Sequence, residues 1–494
     1  MELYETYLEL LRGGGAAVLG LTFQTGSGLF ALGLIGLWLP LVLMGGSSSA
    51  GPDGQTLNGG FRRDWVLVLP IATAAGLVTA VTVWTLSLFA LGSFSLGNWI
   101  LYAACLVGAG LAWRGRRELT RNFDNPLVWL CASLLALGLG VWQHAATELL
   151  VVQDVPRLVF SDLQRDLAAH VNMAGLVRDG GLPMQSLWGS EDQEFWWLSH
   201  TGHIVLIAGF SQWLGVSLYQ ASSILWIAAT ILIAWAALAL FAGTRIPGVA
   251  RVLLVLGTLV WGAFTFPEVH RLYDPLREHI AGGFELDAPG YWVAGRGFWN
   301  LPQTLSIALT LCGLLLFEAF AAARRSRETG WGLLVIATVF LIGGGWSKPS
   351  LIIFYGPALI LWLALNRAGM REYSCVLLPL AGGAFVYAIP ALFFTLPEAP
   401  LWHLAFNGEQ WTTVFGFAQM ASPSLVILSA GALLRMLKQP GRPSPSNLGF
   451  GQPEDFRVLD LALLAGGGSL LFALFFSEDQ FVGFKVFQPN IWWG

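Results

Sequence analysis

The chain has 494 residues, 55% of them hydrophobic and only 11% charged, with a mean hydropathy of +0.64. Soluble domains carry roughly 25% charged residues, so this composition excludes an ordinary soluble enzyme or nucleic-acid binder and reads as a polytopic helical membrane protein. The net charge of −4 decides little, because in such a protein the information lies in how charge divides between loops.

In chain order, the opening MELYETYLELL is acidic and amphipathic and lacks the basic start of a cleavable signal peptide. A helical span needs about 17–25 apolar residues. Such runs fall at 26–45, 65–90, 96–113 and 126–146, then at 218–243, 249–266, 300–323, 330–346, 350–366, 374–396, 422–437 and 458–476. The expected fold is an all-α polytopic membrane protein with about 12 transmembrane helices. Cys105, Cys131, Cys312 and Cys375 all lie inside apolar runs, so neither a disulfide framework nor a cysteine metal site is expected. The 23 tryptophans suit a chain with many interface anchors. Residues 438–455, rich in Pro, Gly and Ser, read as a connector, and no repeat of fixed period is visible. The closing FKVFQPNIWWG has two readings: a genuine C-terminus, or the start of a further helix in a truncated frame.

Between the fourth and fifth runs lies the most polar stretch, with SDLQRDLAAHVNMAGLVRDGGLP at its centre. Ser161 and Gln164 form a capping-box pattern that predicts a helix starting at Asp162. Gly180, Gly181 and Pro183 predict its end. Leu163, Leu167, Val171 and Ala174 make an apolar stripe, and Asp162, Asp166 and His170 a second, polar one. A short helix with those two edges is expected to lie along a membrane surface. The run 200–215 is short for a span and opens on two histidines, which predicts a second surface or half-inserted helix.

Basic residues set the expected sidedness. Arg62-Arg63, Arg114 to Arg121, Arg245 to Arg251, Arg324 to Arg327, Arg367 to Arg371 and Lys438 to Arg442 are expected in the cytoplasm. The loops 147–200, 267–299, 397–421 and 477–494 then fall on the opposite face. An aspartate at that surface can deprotonate an acceptor or help hold a divalent cation, and Asp162 with Asp166 one turn on is the acid pair in question. From spacing alone, a solvated helix face reads at least as well. On the same side, Arg271, Asp274 and Arg296 flank span ends, and arginine's fork suits a phosphate. Lys348, in GGGWSKPS, sits against the positive-inside bias; a carrier phosphate and snorkelling to lipid headgroups explain it equally. Lys485 is a second candidate for the same role, and Gly343 to Gly345 allow close approach of a helix or a polyprenyl chain.

The D-x-x-x-H pattern of Asp166 and His170, the G-x-P turn at Pro183, the aromatic-rich loop and the H-x-x-H of His200 and His203 resemble the first outer loop of the GT-C glycosyltransferases. The families nearest in character are the dolichyl- or undecaprenyl-phosphate mannosyltransferases and the aminoarabinose transferases. The resemblance covers roughly 126–494, with 1–125 as additional N-terminal transmembrane helices, an outer loop at 147–217 with juxtamembrane helices, and a second outer loop at 267–299. It implies an integral-membrane enzyme that moves a sugar from a polyprenyl-phosphate carrier to a lipid, glycan or protein acceptor. Asp166 is then the general base or metal-contacting acid, with Asp162 as second candidate and His170 beside them. Lys348, Arg271, Arg296 and Lys485 are the expected phosphate contacts, and Trp196, Trp197, His200 and His203 the expected sugar or acceptor pocket. The resemblance fixes no cofactor, and a divalent metal, Mg or Mn, would fit Asp162 and Asp166. The expected location is a bacterial inner membrane with the site on the extracytoplasmic face, and no nucleic acid is involved. Two other classes stand beside the enzyme: a transporter or flippase of lipid-linked sugars, and a non-catalytic membrane subunit.

Overall fold

The computed structural model describes residues 15–45, 65–119, 125–152, 162–180, 196–241, 246–260, 301–325, 330–366, 368–393, 403–404 and 458–477. In order, its helices are α1 (Gly15–Gly36), α2 (Trp38–Gly45), α3 (Trp65–Leu91), α4 (Ser95–Leu119), α5 (Pro126–Val152), α6 (Asp162–Gly180) and α7 (Trp196–Leu214). They continue with α8 (Leu218–Phe241), α9 (Gly248–Val260), α10 (Leu301–Arg325), α11 (Trp331–Ser347), α12 (Pro349–Leu365), α13 (Met370–Phe393) and α14 (Val458–Phe475). Among the described residues the fold is all-α apart from one two-residue antiparallel pairing, β1 (His403–Leu404) with β2 (Phe476–Ser477).

Every expected apolar run except 422–437, which lies outside the described residues, has a helix on it. Five described stretches are long and apolar enough to cross a membrane: Leu19–Leu41, Val68–Leu91, Ser95–Arg114, Leu218–Leu240 and Leu301–Ala321. Five is fewer than the expected twelve: the described parts of several other helices, such as Trp331–Ser347, are shorter.

The chain forms two compact units, with Cys312 in the first and Gly313 in the second along α10. In the first, α1 and α3 cross backbone to backbone. A Cβ on Gly36 would overlap the Ala72 carbonyl oxygen, and one on Gly76 the Leu32 carbonyl oxygen. Helix α4 meets α1 in the same way, with Gly108 against Leu34. In a bilayer, lipid is as apolar as leucine, so close packing of this kind, and not hydrophobic exclusion, holds helices together. Helix α8 is the centre of the unit, packed by α1, α3, α5, α7 and α9. Trp84 of α3 is fully buried, edge-on to Phe94, Phe210 and Trp213, and donates to the Asn98 side chain at 2.8 Å.

In the second unit, α11 and α12 meet at a single extended residue, Lys348 (φ −149, ψ 110), with Pro349 opening α12. Proline suits the first turn of a helix because its missing N–H would have no partner there. Gly345 lies against Ile352, which lets the two helices fold back on each other. At another point of this unit Arg324 at the end of α10 pairs with Glu372 in the first turn of α13, and Arg371 lies 4.7 Å over the Trp331 ring. The pair is mostly enclosed, with side chains 24% and 15% exposed. Glu372→Gln removes the charge that faces the guanidinium, and we expect it to cost about 1–3 kcal/mol. Thermal unfolding of the purified chain should show this, and an unchanged melting curve would remove any stabilising role from the pair.

Candidate functional site

Helix α6 begins at Asp162 and ends at Gly180, as the capping pattern and the glycines predict. Its buried face carries His170, Val171, Met173, Ala174 and Val177, while Asn172 and Asp179 are exposed. Val171 and Ala174 therefore do what the apolar stripe predicts. His170 does not sit on a solvated edge: it is 6% exposed and faces protein. At the far end, Arg178 donates to Asp179 at 2.8 Å and holds that carboxyl below its usual range. As a pair on the surface it contributes little.

Helix α7 is covered along much of its length. All residues from Thr201 to Ser211 are buried against protein. Two features explain this. Gly209 has no side chain, and the Trp84 ring occupies that space against the helix. His203, 0% exposed, has the His170 ring against it instead of water. Helix α7 ends in a glycine turn: Gly215 has φ +65, and the Val216 N–H reaches back to the Ser211 carbonyl at 3.0 Å. A reciprocal capping box then starts α8, with the Ser217 N–H on the Gln220 side chain at 3.1 Å and the Gln220 N–H on the Ser217 hydroxyl at 3.2 Å.

The centre of the site is the contact between the His170 and His203 rings, edge to face with centroids 4.3 Å apart. It joins two expected site residues from separate stretches of sequence. A second contact sets the direction of the helices. A Cβ on Gly175, just past His170, would touch Leu218 at 3.4 Å, and Leu218 opens α8 immediately beyond the end of α7. Moving toward the C-terminus of α6 thus moves toward the C-terminus of α7, and the two run broadly parallel. By backbone register, Asp166 and His200, each about one turn earlier, then fall at a common level. Asp162 lies one turn before Asp166, and Trp196 and Trp197 open α7.

Lys348 belongs to the second unit, half-exposed at the α11–α12 corner. Arg271, Asp274, Arg296, Lys485 and Pro183 are outside the described residues. Among the described residues, no group of three or more His, Cys, Asp or Glu side chains is placed to hold a metal ion. Sequence reading treated α8 as an ordinary span; it also packs against both α6 and α7.

The fold and this site define an all-helical protein with apolar helices long enough to cross a membrane and a buried imidazole pair where two short helices meet. No family model, no curated protein and no solved structure matches the chain.

Proposed function

We propose that this chain is a membrane glycosyltransferase of the GT-C pattern, with about 12 spans, that moves a sugar from a polyprenyl-phosphate carrier to an acceptor on the extracytoplasmic face of a bacterial inner membrane. One observation carries the reading. His170 and His203, two of the residues on which the resemblance rests, meet in the interior one turn from Asp166 and His200. Ionisable groups buried together in so apolar a chain are a functional-site hypothesis by default.

In this scheme Asp166 takes the acceptor proton as the acceptor oxygen attacks the anomeric carbon, and the carrier leaves as its phosphate. His170 and His203 orient the reacting groups by hydrogen bonding. Asp162 is the second candidate for the acid role. Lys348, Arg271, Arg296 and Lys485 are the candidate cations for the phosphate, each open to substitution one at a time. A second reading has its own support, because a buried imidazole pair also suits a proton-coupled transporter of lipid-linked sugars.

The test is reconstitution of the full chain in proteoliposomes with a labelled polyprenyl-phosphate sugar. Label arriving on an acceptor supports the transferase. Carrier that crosses the bilayer with its sugar intact supports transport and sinks the enzyme. Loss of transfer on adding EDTA, with recovery on Mg or Mn, would assign Asp162 and Asp166 to a metal.

A further inference from the structure

Where the end of α10 and the starts of α11 and α13 meet, the chain carries more positive charge than its own acids offset. Residues 324–328 and 367–372 hold five arginines against two glutamates. One of those glutamates, Glu372, is engaged by Arg324 in a largely enclosed pair. Arg371, the residue before it, is exposed in the first turn of α13. Its partner among the described residues is the Trp331 ring, 4.7 Å from the guanidinium carbon, and not a carboxylate. Stacking on the ring uses the flat face of the guanidinium. The N–H edge stays open, and that edge is the one that makes two parallel hydrogen bonds to a phosphate. Trp331 is itself only half-buried, and tryptophan favours the depth of lipid head groups.

The same side of α13 continues as an uncovered strip. Ser374, Leu378 and Gly382 follow Arg371 at i+3, i+7 and i+11, which is one line along a helix, and all three are exposed. Leu378 is 73% exposed, and a carbon added at Gly382 would meet nothing within 4 Å. At about 1.5 Å per residue the strip runs roughly 16 Å from the arginine. A soluble anion matches the cation and leaves the strip uncovered. A neutral lipid matches the strip and leaves the cation without a counter-charge. An anionic lipid matches both.

We propose that Arg371 and Trp331 bind the head group of an anionic phospholipid whose acyl chain lies along Ser374, Leu378 and Gly382 of α13. The ring already holds the guanidinium in place, so less side-chain freedom is lost when the phosphate arrives. By the arginines around it, this end of α13 is on the face expected in the cytoplasm. The inference does not depend on what the chain catalyses.

The experiment uses the full chain in detergent micelles. Thermal unfolding is followed while phosphatidylglycerol or phosphatidylcholine with the same acyl chains is titrated in, so that the two probes differ in head-group charge. Wild type is expected to be stabilised more by phosphatidylglycerol. Arg371→Gln is expected to weaken the apparent affinity for phosphatidylglycerol about fivefold and to leave that for phosphatidylcholine unchanged. Arg371→Lys, which keeps the charge and loses the fork, should fall between. Comparing the two lipids within each variant removes any change in its intrinsic stability. Arg178→Gln takes the same charge from an exposed arginine already paired with Asp179, and should keep the wild-type preference. Wild type without a preference for phosphatidylglycerol overturns the inference, as does Arg371→Gln with the preference intact. An equal loss in Arg178→Gln overturns it too, because the preference then follows net charge and not this place. Glycerol phosphate that reproduces the whole shift overturns the lipid as occupant in favour of a soluble anion.

Discussion

Asp166→Asn is expected to lower sugar transfer by about 10²–10⁴-fold, the usual contribution of a positioned general base. The substitution keeps size and shape and removes only the negative charge and the ability to take a proton. Asp166 is in the second turn of α6, one turn before the buried His170, and the helix that carries it is anchored further along by His170, Val171 and Ala174. Donor affinity and melting temperature should therefore stay close to wild type while label transfer collapses. If Asp166→Asn transfers within about threefold of wild type, below any base contribution of that size, the base is elsewhere and Asp162→Asn becomes the next variant. A combined loss of donor binding and transfer would instead make Asp166 a binding group.

Gly76→Ala is expected to cost more than about 3 kcal/mol, at the severe end for a single methyl. The added carbon would overlap the Leu32 carbonyl oxygen where α1 and α3 cross, and backbone on both sides cannot move independently of its helix. The two helices must separate, and with them goes the close packing that stands in for hydrophobic exclusion in lipid. Gly110→Ala is the matched control. It lies in α4 with nothing within 4 Å of the added carbon, so it should be neutral or stabilise by up to about 1 kcal/mol through helix propensity. Yield of folded protein and thermal unfolding in one detergent read both variants. Equal behaviour of the two would mean that α1 and α3 do not cross through these glycines.

Much of the local structure was open to reading in advance. Helix α6 starts and stops where its cap and glycines place it, and α12 starts at Pro349 because the ring presets the first turn. These are local signals, each decided within a few residues of chain. The site was only half visible. Asp166, His170, His200 and His203 drew attention as polar groups in an apolar chain, but neither the polar stripe of α6 nor the two histidines opening the 200–215 run foretold how far protein covers His170 and His203. Neither signal could anticipate Trp84, which comes from a different helix far earlier in the chain and fills the space at Gly209. Trp331 and Arg371 carry no motif at all; their stacking is a property of two helices together.

The sequence alone determined that the chain is all-helical and apolar, where its helices lie and which polar residues needed an explanation, because hydropathy, caps and glycines act over short range. Only the tertiary structure decided which of those polar residues are buried and which touch. Burial depends on partners from distant segments. In a chain this apolar the periodic contrast that usually marks a buried face is absent, so only packing tells inside from outside.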